Sequence, residues 1–96
     1  MNIGIYFNEI LKKVNNISLI KFIVYEEYER REVSYSKDMR VEDFIKDYLK
    51  KYINYNVVDT SLYKFLTGAK ILNNPKYKNY LLKDVIRENG VVRFMH

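Results

Sequence analysis

The sequence predicts a single α+β domain in which a small β-sheet closes over one face of one helix. Three observations lead there. Residues 41–53 place Val41, Phe44, Ile45, Tyr48, Leu49, Tyr52 and Ile53 at spacings of three and four, an apolar stripe of helical period. Runs of alternating character flank that stretch on both sides, as strands require. The chain has 96 residues, enough for one modest core, and no low-complexity linker divides it.

The helix carries further marks of its type. Its opposite face holds Glu42, Asp43, Lys46, Asp47, Lys50 and Lys51, with Glu42–Lys46 and Asp47–Lys51 spaced for i,i+4 pairing. Acids fall in the first turn and lysines in the last, as the helix dipole favours, and Asp38 is the predicted N-cap. Residues 1–16 form an amphipathic extension, helical from about Tyr6, with Ile3, Phe7, Ile10, Leu11 and Val14 on one side and Asn15-Asn16 as its stop. The domain proper then spans residues 17–96.

Ile17 to Tyr25 reads as a strand with Ile20, Phe22 and Val24 on one face and Leu19, Lys21, Ile23 and Tyr25 on the other; with apolar residues on both, it is a central strand. Glu26 to Glu29 is a charged turn, and Arg30 to Ser36 is the second arm of the hairpin, with Val33 and Tyr35 on one face. Beyond the helix come a strand at Ser61–Leu66, a turn at Thr67-Gly68-Ala69 and a very short strand at Lys70–Leu72. Asn73-Asn74-Pro75 marks a loop, residues 81–86 a short helical turn, and Asn89-Gly90 turns the chain into a final strand, Val91–Met95. The predicted core unites Val41, Phe44, Ile45, Tyr48 and Leu49 with Ile20, Phe22, Val24, Val92 and Phe94.

Composition narrows the function classes. There is no cysteine, hence no disulfide framework, thiol nucleophile or thiolate metal site. The only histidine is His96, so Ser–His and His–metal constellations are excluded. Gly68-Ala69-Lys70 lacks the remaining glycines of a phosphate loop. Glu26, Glu27 and Glu29 lack the Gly-punctuated pattern of a calcium loop, and Asp84 reads as a turn-capping residue. Neither a membrane span nor the basic n-region of a secretory signal is present, and an intracellular site, cytoplasmic or nuclear, is expected. A formal charge of +5 favours acidic partners, although the excess of Lys, Tyr, Asn and Ile matches an A+T-rich codon bias.

The order strand, turn, strand, helix, strand, short strand, loop, helical turn, strand resembles the ubiquitin-like β-grasp family over about 80 residues, Ile17 to His96. Ser61 to Leu72 is similar to the segment in which an apolar strand meets a Gly-Lys turn and then a buried leucine. Leu82-Lys83-Asp84 resembles the family's leucine-x-aspartate, and Glu88 to Met95 its closing turn and strand. The resemblance implies a non-catalytic protein-interaction module without cofactor or metal, either an adaptor or a small subunit of a larger assembly. Two departures stand out. The sequence ends at Met95-His96 without the terminal Gly-Gly of a protein tag, so a modifier role requires a tail absent here. The Gly-Lys turn reads as longer by one residue, so Lys70 does not inherit an acceptor role.

Two partner surfaces follow. The resemblance to modifiers of the SUMO type implies a groove between the second strand and the helix, lined by Arg30, Arg31, Tyr35, Lys46 and Lys50 and suited to an acidic or extended segment added at the strand edge. The second is the outer sheet face, with Lys21, Arg93, Met95, a residue near Tyr28 and either Lys64 or Phe65. Leu19 and Ile23 share that face, and Phe7, Ile10, Leu11 and Val14 are expected to pack over Leu19, Ile23 and Met95, the alternatives for that segment being a partner-binding helix, a frayed leader or a weak targeting segment. Nucleic-acid binding through the basic surface is the remaining alternative.

Overall fold

The structure, a computed structural model, describes residues 18–53 and 62–95. Strands β1 (Leu19–Tyr25) and β2 (Arg30–Ser36) form an antiparallel hairpin, followed by helix α1 (Val41–Tyr48) and a π-helical turn at Leu49–Ile53. Strand β3 (Lys64–Thr67), strand β4 (Lys70–Ile71), a 3₁₀ turn at Pro75–Tyr77, a short helix α2 (Leu82–Val85) and strand β5 (Gly90–Met95) complete it. The five strands lie in the order β2-β1-β5-β3-β4, with β1 and β5 parallel at the centre and the two hairpins outside. The extension over residues 1–16 and its packing on Leu19, Ile23 and Met95 lie outside the described residues, as does His96.

Every predicted core position on α1 and the central strands is buried. Phe22, Val24, Val41, Phe44, Tyr48, Leu49 and Val92 have no exposed surface, and Ile20, Ile45 and Phe94 almost none. Phe65, Leu72, Leu82 and Tyr63 join them from the second half of the chain. Aromatic rings form the centre. Phe44 meets Tyr35 at 5.0 Å, Phe22 at 5.4 Å and Phe65 at 5.6 Å between centroids, each edge to face. Such pairs each add about 0.5–1.5 kcal/mol beyond the area they bury.

The start of α1 departs from expectation. Arg40, not Asp38, occupies the N-cap position, and no side chain caps it. Backbone carbonyls do so instead. The Val41 N–H donates to the Tyr80 carbonyl at 2.8 Å and the Glu42 N–H to the Lys78 carbonyl at 3.3 Å. These bonds satisfy donors that every helix start leaves open. Asp38 is drawn to Lys83 at 3.1 Å. Glu42 pairs with Arg40 at 3.1 Å, while the predicted Asp47–Lys51 pair forms at 3.2 Å.

The predicted helix reaches Ile53, but its last turn widens from Leu49 onward into a π-helix. The widened turn keeps Leu49 buried and sets the Tyr52 ring 4.8 Å from that of Tyr48. Further on, Gly68 opens the β3–β4 turn at φ +56, and Thr67 pairs directly with Lys70. The turn is thus a two-residue hairpin whose first central position needs the left-handed region that glycine enters freely. Asp84 caps α2 as predicted, its carboxylate accepting the Leu81 N–H at 3.3 Å.

Candidate functional site

Alternation along β2 decides the fate of the expected groove. Arg31, Val33 and Tyr35 share a face because side chains of a strand repeat every second residue, and that face is the core side. Arg31 therefore reaches inward under the hairpin turn. Its guanidinium pairs with Glu26 and Glu29 and donates to the Tyr48 hydroxyl at 3.0 Å; that hydroxyl in turn donates to Glu26 at 2.7 Å. The Tyr52 ring lies 5.0 Å from the guanidinium carbon. Two carboxylates, a hydroxyl and a ring consume the cation.

Arg30 points the other way, to the outer face, where it shares Glu32 with Lys21 at 3.6 and 3.9 Å. Tyr35 is buried, its hydroxyl held protonated far above the ordinary value of 10.0 by desolvation and then by the neighbouring Asp47 carboxylate. Burial likewise raises Tyr48, with the Arg31 charge opposing it. Lys46 lies on the opposite flank of α1, where with Ile45, Leu72, Pro75 and Lys78 it borders a pocket of about 290 Å³. The helix residues beside Tyr35 are instead Asp47 and Lys51, the lysine ammonium 6.0 Å from the ring. Lys50 is exposed, between Lys46 and Lys51 around the helix. The five residues expected to line one groove thus stand in three places, and the flank that faces β2 carries an acid as well as a base.

The outer face assembles better. Residue pairing puts Tyr25, Arg93, Leu66 and Ile71 in one row across β1, β5, β3 and β4, with Met95 and Lys64 paired in the next. Tyr25, Ile71 and Met95 expose 39%, 37% and 44% of their surface, and Leu66 is half-buried. Lys64 is the outward residue of the Lys64/Phe65 alternative. Phe65 is fully buried and belongs to the core, so it is removed from the partner surface. Tyr28, at 89% exposure, stands at the hairpin tip. With Tyr25, Glu27, Val91, Arg93 and Met95 it lines an open cleft of about 950 Å³.

Lys64 and Arg93 on this face have no carboxylate partner within ion-pair distance among the described residues, while Lys21 and Arg30 on the same face share Glu32; Lys37, Lys46, Lys50, Lys70, Lys76, Lys78 and Arg87 elsewhere are likewise without an ion pair. The sequence pattern had placed Lys21, Arg93 and Met95 on this face. It missed Leu66 and Ile71, although Leu66 directly follows a core residue in an alternating strand and so must point outward.

No group of three metal-ligating side chains converges among the described residues, and none of their helices is long and apolar enough to cross a membrane.

This architecture, a mixed five-stranded sheet closed over one helix in the order β2-β1-β5-β3-β4, is the ubiquitin-like β-grasp fold. Solved structures of that fold superpose on most of the chain. One, described as "Molecular Mimicry of SUMO promotes DNA repair", matches with a TM-score of 0.63 at 16% identity over 82% of this chain and 92% of its own. The UBL domain of yeast Ddi1 matches at 0.62 and 15% identity, over 80% of this chain and 87% of that domain. A ubiquitin-like domain of Arabidopsis thaliana protein At2g32350 matches at 0.56 and 19% identity, over 80% and 76%. No protein-family model and no curated protein matches the sequence.

Proposed function

We propose that the chain is a non-catalytic protein-interaction domain, an adaptor or small subunit, whose working surface is the part of the outer sheet face around Arg93. One observation carries the reading. Tyr25, Leu66, Ile71 and Met95 form a half-exposed apolar patch bordered by Lys64 and Arg93, two cations with no carboxylate partner among the described residues. Exposed apolar patches rimmed by polar groups mark interaction sites. Unpaired cations at the rim select an acidic partner and speed its approach. The occupant is therefore a protein segment with apolar side chains flanked by Asp or Glu. The β2–α1 groove is the weaker alternative, because Arg31 is already paired there, Arg30 lies on the outer face and Lys46 stands on the opposite flank of α1.

The test is affinity capture with the intact chain, compared with Leu66→Glu and Lys51→Glu variants. Leu66→Glu puts a carboxylate in the middle of the patch and is expected to abolish retention of the bound proteins, while Lys51→Glu, on the helix flank beside Tyr35, leaves it intact. Retention lost with Lys51→Glu and kept with Leu66→Glu overturns the assignment. Recovery of nucleic acid in place of protein, lost steeply as salt rises, overturns the function class.

A further inference from the structure

The pocket of about 290 Å³ beside Lys46 lies on the helix side of the sheet, away from the Arg93 row. Its floor is apolar and buried, made of Ile45 from α1, Tyr63 just before β3 and Leu72 just after β4. Its outer wall is the loop from Asn73 to Lys78, and that loop is tied down at both ends. At its start the Asn73 amide bridges to β3, donating to the Tyr63 carbonyl at 2.9 Å and accepting the Phe65 N–H at 3.0 Å. At its end the Lys78 carbonyl accepts the Glu42 N–H of α1 at 3.3 Å. In between, Pro75 opens the 3₁₀ turn and the Asn74 side chain caps it, accepting the Lys76 N–H at 3.1 Å. A wall fixed in this way is preformed, so an occupant does not have to order it.

The mouth carries charge of one sign. Glu42 stands there, but Arg40 pairs with it at 3.1 Å. Lys46 and Lys78 are exposed at the mouth and have no carboxylate within ion-pair distance among the described residues. A buried apolar floor beneath two unpaired ammonium groups suits an apolar body with a carboxylate at one end. The volume stands at the small end of ligand sites, which run about 300–1,000 Å³, so that body is a single ring or a single branched chain. The terminus of a polypeptide has the same chemistry, but an extended chain draws its affinity from main-chain bonds to a sheet edge. The edge strand that leads into Leu72 is β4, and it is only two residues long.

We propose that this pocket binds a small free carboxylic acid with an aromatic or branched apolar body, the body resting on Ile45, Tyr63 and Leu72 and the carboxylate held by Lys46 and Lys78. The site is separate from the Arg93 patch and does not rest on the partner reading.

Titration of the isotope-labelled full chain with 3-phenylpropionate at low salt, followed by amide shifts, tests it. Saturable shifts are expected at Ile45, Tyr63, Leu72 and Asn74 and none at Leu66 or Arg93, with a Kd on the order of 1 mM for a ligand of that size. 3-Phenylpropylamine, the same body with the opposite charge, should bind at least about tenfold more weakly. Lys46→Met with Lys78→Met replaces two exposed cations by apolar chains and should weaken the acid about tenfold, with the spectrum of the free chain otherwise preserved. Absence of saturable shifts at the floor residues overturns the proposal. So does equal binding of the amine, or a double variant that binds the acid as well as the parent. N-acetylglycylphenylalanine is expected to bind no more tightly than the free acid; much tighter binding overturns the proposal, because the occupant is then a chain terminus.

Discussion

Arg30 and Arg31 are adjacent in sequence and opposite in role, so replacing each by Met gives a sharp comparison. Arg30 is about half exposed, as is its partner Glu32, at 3.6 Å. Exposed pairs of this kind contribute about 0–1 kcal/mol, and Arg30→Met is expected to change stability by less than about 0.5 kcal/mol. The Arg31 side chain is 21% exposed and Glu26 15%, so this pair is only weakly screened. Arg31→Met keeps an aliphatic side chain at the site but removes the guanidinium over the Tyr52 ring, the partner of Glu26 and one bond to the Tyr48 hydroxyl. Breaking a fully buried pair costs about 3–5 kcal/mol. A hydrogen bond to a charged group contributes about 1.5–3 kcal/mol. Some exposure remains, and the Tyr48 hydroxyl still donates to Glu26 at 2.7 Å, so the lower range applies. Glu29 is 58% exposed and adds little.

The expected cost of Arg31→Met is about 2 kcal/mol, or about 8–16 °C in Tm for a domain of this size. Urea unfolding of the two variants, at 25 °C and moderate salt, measures both. A cycle combining Arg31→Met with Glu26→Gln isolates the coupling of the pair. Equal stability of the two arginine variants would refute the inward placement of Arg31, and with it the argument that β2 has no free cation to offer in the groove.

Three further outcomes are expected. Phe44→Ala removes the ring at the centre of the aromatic cluster and should cost about 3–5 kcal/mol in denaturant unfolding, leaving little of a typical domain's stability. Gly68→Ala meets no atom within 4 Å but forces φ +56 on an L-residue, so a loss of about 1–2 kcal/mol is expected from backbone conformation alone. Tyr35 is held protonated in the folded chain far above its ordinary value of 10.0. The unfolded chain therefore loses that proton first as pH rises, and the stability Tyr35 contributes is complete below pH 10 and falls above it. Urea midpoints from pH 8 to pH 11 should decline, and Tyr35→Phe should flatten the decline relative to the parent.

Much of the fold was legible because its signals are local. The stripe Val41–Leu49 names both the helix and its buried face, and alternation in Arg30–Ser36 and Val91–Met95 gives both strands with their inward residues. Asp38 was the natural N-cap by residue type, yet two carbonyls from residues 78 and 80 do that work, and nothing in residues 38–44 announces them. The site was less legible for a related reason. A helical wheel shows that Asp47 and Lys51 flank the stripe on one side and Lys46 on the other. Which side meets β2 is set by how the helix lies on the sheet, a tertiary property. The inward course of Arg31, by contrast, was readable: it stands two and four residues before Val33 and Tyr35. What hid it was chemistry, because a cation on the core side becomes credible only once Glu26, Glu29 and the Tyr48 hydroxyl are seen around it.

The central claim is that the outer sheet face, not the β2–α1 groove, receives the partner. Amide-shift mapping on the isotope-labelled intact chain, titrated with the first protein recovered by capture, addresses it directly. The account predicts shifts centred on Leu66, Ile71, Arg93 and Met95, with Val33, Tyr35 and Lys51 unmoved. A footprint along Arg30–Ser36 and Asp47–Lys51, with the Arg93 row silent, would contradict it.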